Sequence, residues 1–139
     1  MLKLACLLPY LQVTEVILSI IMTGLAITEI LLGPRGLTVA VTVFGYTLIN
    51  IAFTIAYFIS CPPTPKLRMI FAVPGFVLHL TTGSVLHEDA MPFVKIGLRH
   101  LVSQKLSLAS FSIITGVVYI VDLVLSFIVL KQEDFDSRD

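Results

Sequence analysis

The strongest constraint on this chain is its run of four long apolar stretches, Val13 to Leu32, Leu37 to Ile59, Met69 to Leu86 and Leu106 to Leu130. A helix rises about 1.5 Å per residue and the hydrocarbon core of a bilayer is about 30 Å thick, so roughly 20 mostly apolar residues cross it. Each stretch is of that order. Of the 139 residues 57% are hydrophobic and 13% charged, whereas soluble domains carry about 25% charged residues. A soluble bundle would need polar outer faces, and these helices have almost none. The expected fold is all-α: one transmembrane four-helix bundle over residues 1–139, with a short acidic tail at 132–139 and no room for a separate catalytic module. A net charge of zero gives no surface for nucleic acid.

Turn chemistry divides the stretches. Gly33, Pro34, Arg35 and Gly36 form a tight turn, because Gly supplies positive φ and Pro cannot continue a helix. Residues Cys61 to Arg68, with three prolines, read as a short, stiff, basic connector. Pro74 falls in the first turns of the third span, where a missing donor costs little. Lys3 followed by an apolar run imitates a signal peptide, but the run is too long and contains Glu15, so residues 1–12 read as an apolar lead-in with a bend at Pro9. The segment from His87 to Lys105 places Val94, Leu98 and Leu101 at helical spacing beside Lys95 and Arg99. It is either an amphipathic helix in the headgroup layer or an extension of the fourth span.

With four crossings, both termini and the middle connector share one side, which carries Lys3, Lys66, Arg68, Lys131 and Arg138. The other carries Arg35, Lys95, Arg99 and Lys105. This balance leans toward cytoplasmic termini. The two cysteines, Cys6 and Cys61, fall on the terminal side, where S-palmitoylation competes with the plainer reading of two unmodified small residues.

Polar residues inside the spans follow helical spacing. Ser112, Gly116, Tyr119, Asp122 and Ser126 share a face of the fourth span, and Thr47, Asn50, Thr54 and Tyr57 share one on the second. Gly75, His79 and Gly83 align on the third, and Glu15, Ser19, Met22, Ala26 and Glu29 on the first. Lipid offers no hydrogen bonds, so these stripes should face one another. The intramembrane polar core is then Asp122, Tyr119, Ser126, Asn50, Tyr46, His79 and Glu29, with close helix packing at Gly75, Gly83 and Gly116. Glu15 and Glu29 lie near opposite ends of the first span and are expected first at the interface, with a place in the bundle core as the alternative for Glu29. Asp122 costs about 2.5–3.5 kcal/mol at membrane depth unless it is partnered. His79, Tyr46, Tyr57 and Asn50 are the candidate donors. A register-fixing hydrogen bond is the preferred reading of Asp122, and a proton or cation site the other.

His87, Glu88 and Asp89 beside His79 contain metal-ligand types, but their spacing suits a polar loop mouth better, and no metal or cofactor is expected. No phosphate-binding Gly-rich loop, nucleophile elbow or acyl-transfer set is present, so no enzymatic activity is expected.

Gly45-Tyr46, the segment Gly83 to His87, and the face Gly116, Tyr119, Asp122 and Ser126 give the chain a distributed likeness covering three spans. In these it resembles the small, snakeskin-like four-span proteins of arthropod septate junctions, with a layout similar to MARVEL-type tetraspans. The first loop is shorter than in that group. Trp is absent, unlike the first-loop motif of claudins, and there is no Cys-Cys-Gly loop of true tetraspanins. The resemblance implies a plasma-membrane component of a cell junction that packs against other junctional membrane proteins or against itself. The competing function is a channel, a proton-coupled transporter or an accessory subunit of one, using Asp122 and His79 with Glu29 along a polar path.

Overall fold

A computed structural model describes the backbone of residues 4–32 and 36–136, and of these the side chains at 6–27, 36–133 and 135. A 3-10 turn at Leu4–Leu7 leads into α1 (Leu8–Leu32), followed by α2 (Gly36–Phe58), α3 (Pro65–Ile96) and α4 (Arg99–Asp136). Each helix contains a segment long and apolar enough to cross a membrane. The chain is an all-α four-helix bundle and a multi-pass integral membrane protein.

Most helix ends are set by recognisable local chemistry. After α2, Ser60 adopts a left-handed φ of 58°. Cys61 N–H then reaches back to the Ala56 carbonyl at 2.9 Å, closing the last turn. Thr64 caps α3 by accepting from Leu67 N–H at 3.3 Å, and Pro65 takes the first helical position, where no donor is missed. Lys66 and Arg68, expected in the connector, therefore belong to the first turn of α3. Pro74, expected near the start of the third span, lies well inside the helix. α3 stops at Gly97, whose φ of 78° places it in the left-handed region.

The segment 87–105 is not a separate interfacial helix. Residues up to Ile96 continue α3, and α4 resumes at Arg99, so the segment is shared between the two helices. With 32 residues, α3 is roughly 48 Å long, well beyond a hydrocarbon layer about 30 Å thick. The α3–α4 hairpin therefore stands beyond the apolar layer at that end. Residues 132–136 of the expected tail continue α4 as helix. The expected first-loop turn at 33–35 and the tail end at 137–139 lie outside the described residues.

α3 and α4 pack along most of their length, and α1 packs against α2 and α4, whereas α2 meets α3 sparingly. Toward the α3–α4 turn, Met22, Ala26, Val39, Val43, Leu86, Leu108 and Ala109 form an apolar cluster. A second cluster of Tyr46, Ala72 and Tyr119 sits nearer the other end.

Candidate functional site

Toward the terminal end, all four helices turn polar side chains into one buried network. Its centre is Arg68, which is 1% exposed, against Asp122, which is 3% exposed. Arg68 Nε and Nη2 both donate to Asp122 Oδ1, at 3.0 and 2.5 Å. Nη1 donates to Gln12 Oε1 at 2.9 Å and to the Tyr57 hydroxyl at 3.2 Å. A guanidinium presents five donors in a fixed plane, which lets one side chain tie α1, α2 and α4 to α3.

From Gln12 the network moves inward. Gln12 Nε2 donates to the Asn50 carbonyl at 3.2 Å. The Asn50 amide uses both hydrogens, donating to Ser19 Oγ and to the Tyr119 hydroxyl, each at 2.9 Å. Deeper still, Tyr46 donates to the Phe71 carbonyl at 3.1 Å. Thr82 donates to Thr42 Oγ1 at 3.0 Å, and Ser112 to the His79 carbonyl at 2.8 Å.

Asp122 is thus partnered by Arg68 and by none of the four expected donors. Asn50 is committed to Ser19 and Tyr119, Tyr46 to Phe71, and Tyr57 accepts from Arg68 rather than donating to Asp122. His79 packs edge-on to Tyr46, with ring centroids 5.2 Å apart, and lies 5.3 Å from Tyr119. Its Nδ1 lies 2.8 Å from the Gly75 carbonyl. A carbonyl only accepts, so Nδ1 carries the proton there.

Glu15 departs from its expected interfacial place. It is 1% exposed, lies within electrostatic range of both Arg68 and Asp122, and its Oε1 has no hydrogen-bond partner among the described residues. Position on the helix accounts for this: Gln12, Glu15 and Ser19 succeed one another at steps of three and four, so Glu15 shares the inward face. Ser126, one turn after Asp122, is buried, with its hydroxyl close to the carboxylate but outside hydrogen-bond geometry. The Glu29 side chain lies outside the described residues.

The glycines differ in how closely neighbours approach. A Cβ on Gly75 would lie 2.8 Å from Tyr46 Cε1, and one on Gly83 would lie 2.7 Å from Ile113 Cγ1. On Gly116 the nearest atom would be the Phe76 carbonyl at 3.6 Å, an ordinary contact. Close packing thus requires glycine at Gly75 and Gly83 but not at Gly116. Cys6 and Cys61 are exposed and unpaired with each other. His87 and Glu88 are exposed on α3, with Asp89 half-buried beside them.

Four members of the centre are absent from the sequence-based core: Arg68 and Gln12, which lie on no stripe read from the sequence, and Glu15 and Tyr57, which lie on stripes only. A signal for Arg68 and Gln12 existed. Counting back from Gly75 at helical steps reaches Ala72 and then Arg68, and counting back from Glu15 reaches Gln12. Compared with protein-family models, curated proteins and solved structures, the chain finds no match in any of the three.

What can such a centre do? It holds one guanidinium and two carboxyls out of water, engages four of the five guanidinium N–H donors and leaves Glu15 Oε1 without a donor among the described residues. Breaking such a pair from one side strands a buried charge, which is strongly destabilising.

Proposed function

We propose that this protein is a non-enzymatic four-span scaffold that assembles a cell-junction membrane complex through lateral helix contacts, in the plasma membrane with cytoplasmic termini. The observation that carries the reading is the outward face of α2. Leu37, Val41, Phe44, Leu48, Ile51, Ile55 and Phe58 are all exposed, and they recur at alternating steps of four and three. That is the spacing of a knobs-into-holes seam, here without an occupant from the same chain. Beside this face, Phe53 packs edge-on to Phe71 at 5.6 Å and so points toward α3. Ala52 remains exposed and Ala56 half-buried. The junctional and septate-junction assignment rests on the resemblance carried by Gly45-Tyr46, the Gly83 to His87 segment and the α4 face.

The test is site-directed cross-linking in native membranes, with Cys6 and Cys61 replaced by Ser and a single Leu48→Cys introduced. Leu48→Cys should yield discrete membrane-protein adducts or a dimer, and the tagged protein should co-fractionate with junctional membranes. A protein that stays a lone monomer in membranes and in mild detergent refutes the reading.

A second reading, proton-coupled transport through Asp122, is favoured by one observation: the donorless Glu15 oxygen beside the Arg68–Asp122 pair. Proteoliposomes containing the purified protein should then pass protons in a manner abolished by Glu15→Gln. Proteoliposomes as tight as empty vesicles reject it.

A further inference from the structure

Two hollows adjoin at the α3–α4 turn. One, of about 420 Å³, is lined by Phe93, Val94, Gly97, Arg99, Val102 and Ser103. The other, of about 370 Å³, begins at the same Ser103 and follows α4 past Leu106, Ser107, Ser110 and Phe111 to Ile114.

The chemistry changes along this path. At the upper hollow Arg99 is exposed, as are its neighbours Lys95 and His100. The Phe93 ring that helps line the hollow is held by the buried Lys105, whose Nζ lies 5.4 Å from the ring centre. Down the lower hollow no charged residue lines the wall: Ser103, Ser107 and Ser110 alternate with Leu106, Phe111 and Ile114, and Ser110 turns its hydroxyl back to the Leu106 carbonyl at 2.8 Å. A cationic mouth thus opens onto an uncharged trough in which Leu106, Phe111 and Ile114 supply the apolar surface.

The depth also matches a lipid. Arg99 precedes Leu106, where the apolar stretch of α4 starts, by a rise of roughly 10 Å. The headgroup layer on each side of a bilayer is about 5–8 Å thick. An arginine stem long enough to lie along the surface spans the difference.

We propose that the joined hollows seat one glycerophospholipid, its phosphate bound by Arg99 with Lys95 adding charge, and one acyl chain lying along α4 from Leu106 to Ile114. A guanidinium fork matches two phosphate oxygens at once. The site is independent of the Arg68–Asp122 centre, which lies toward the other end of the bundle.

The experiment is native mass spectrometry of the full chain, stripped of lipid in mild detergent and titrated with dioleoylphosphatidylglycerol or with dioleoylglycerol, which has the same chains and no phosphate. One phosphatidylglycerol should be retained and dioleoylglycerol should not. Arg99→Ala should weaken retention by at least about fivefold, the effect of one basic group at a membrane surface. Ser107→Leu, which blocks the trough, should weaken it similarly, and Ser110→Leu serves if that variant is not monodisperse. Lys66→Ala, at the opposite end, should leave retention unchanged. Equal retention of dioleoylglycerol overturns the proposal, as does retention that survives either Arg99→Ala or the blocked trough, or an equal loss in Lys66→Ala.

Discussion

Arg68 and Asp122, 54 residues apart, meet through two hydrogen bonds to a single carboxylate oxygen, Oδ1. Both are almost wholly buried, so each solves a problem that the other creates. A lone carboxylate at this depth is costly, and a lone guanidinium is no better.

Single and double replacements should therefore differ in kind. Arg68→Met or Asp122→Leu alone leaves an unpaired buried charge, a loss of about 3–5 kcal/mol. The double variant removes both charges and should recover most of that loss. Thermal stability of the four proteins in one mild detergent, read as a double-mutant cycle, measures the coupling. Additive losses would mean that the pair contributes nothing as a pair.

Glu15 should behave differently although it is equally buried. Its Oε1 accepts no hydrogen bond, so Glu15→Gln forfeits no bond at that oxygen and removes a carboxyl from beside Asp122. The expected change is within about 0.5 kcal/mol of the parent, or a gain, because the isosteric amide forfeits no bond at that oxygen and ends the repulsion between two neighbouring carboxyls. Glu15→Lys places a second cation near Arg68 and should prevent recovery of folded protein. The same thermal assay, with yield of monodisperse protein, separates these outcomes. A large loss in Glu15→Gln would show a bond that the carboxyl makes and the amide cannot.

Much of this interior is legible from spacing alone. Ser19, Met22, Ala26, Asn50, Gly75, His79, Gly83, Ser112, Gly116, Tyr119, Asp122 and Ser126 are all buried, as their common helical faces require. What spacing does not reveal is where a stripe stops. Arg68 follows a run of prolines and carries a charge, so it reads as connector, yet Thr64 caps the helix early enough to bring it onto the inward face. Glu15 shows the same gap at the other side of the site: nearness to a span end suggests solvent, but the helix begins at Leu8 and draws it inside. Partner choice was hidden for a related reason. Once Arg68 is inward, a guanidinium outcompetes neutral donors for a carboxylate, because charge-assisted bonds are about twice as strong.

The three core glycines provide a graded test. Gly83→Ala would push a Cβ to 3.0 Å from the Ala109 carbonyl as well as against Ile113. Backbone cannot rotate aside, so α3 and α4 must separate, at about 1–3 kcal/mol. Gly75→Ala meets the Tyr46 and Tyr119 rings, whose hydroxyls are held by Phe71 and Asn50, and should cost a similar amount. Gly116→Ala makes only ordinary contacts and should be neutral or stabilising by up to about 1 kcal/mol through lower backbone entropy in the unfolded chain. Thermal midpoints in one detergent rank the three variants, and a Gly116→Ala loss as large as that of Gly83→Ala would contradict the packing described.

Gly97 makes a separate demand, on backbone rather than space. Nothing lies within 4 Å of its Cβ position, yet its φ is +78°. Its N–H bonds the Val94 carbonyl at 3.2 Å while Leu98 N–H bonds the Phe93 carbonyl at 3.3 Å, so the left-handed residue is what closes α3 and reverses the chain into α4. Gly97→Val should cost about 1–2 kcal/mol from the left-handed conformation alone. Gly97→Asn should cost less, since Asn tolerates that region. Hydrogen exchange at residues 93–98 should quicken in Gly97→Val while exchange at the Arg68–Asp122 end stays slow, because the two lie at opposite ends of the bundle. Equal exchange in parent and Val variant would show that the turn does not depend on the left-handed residue.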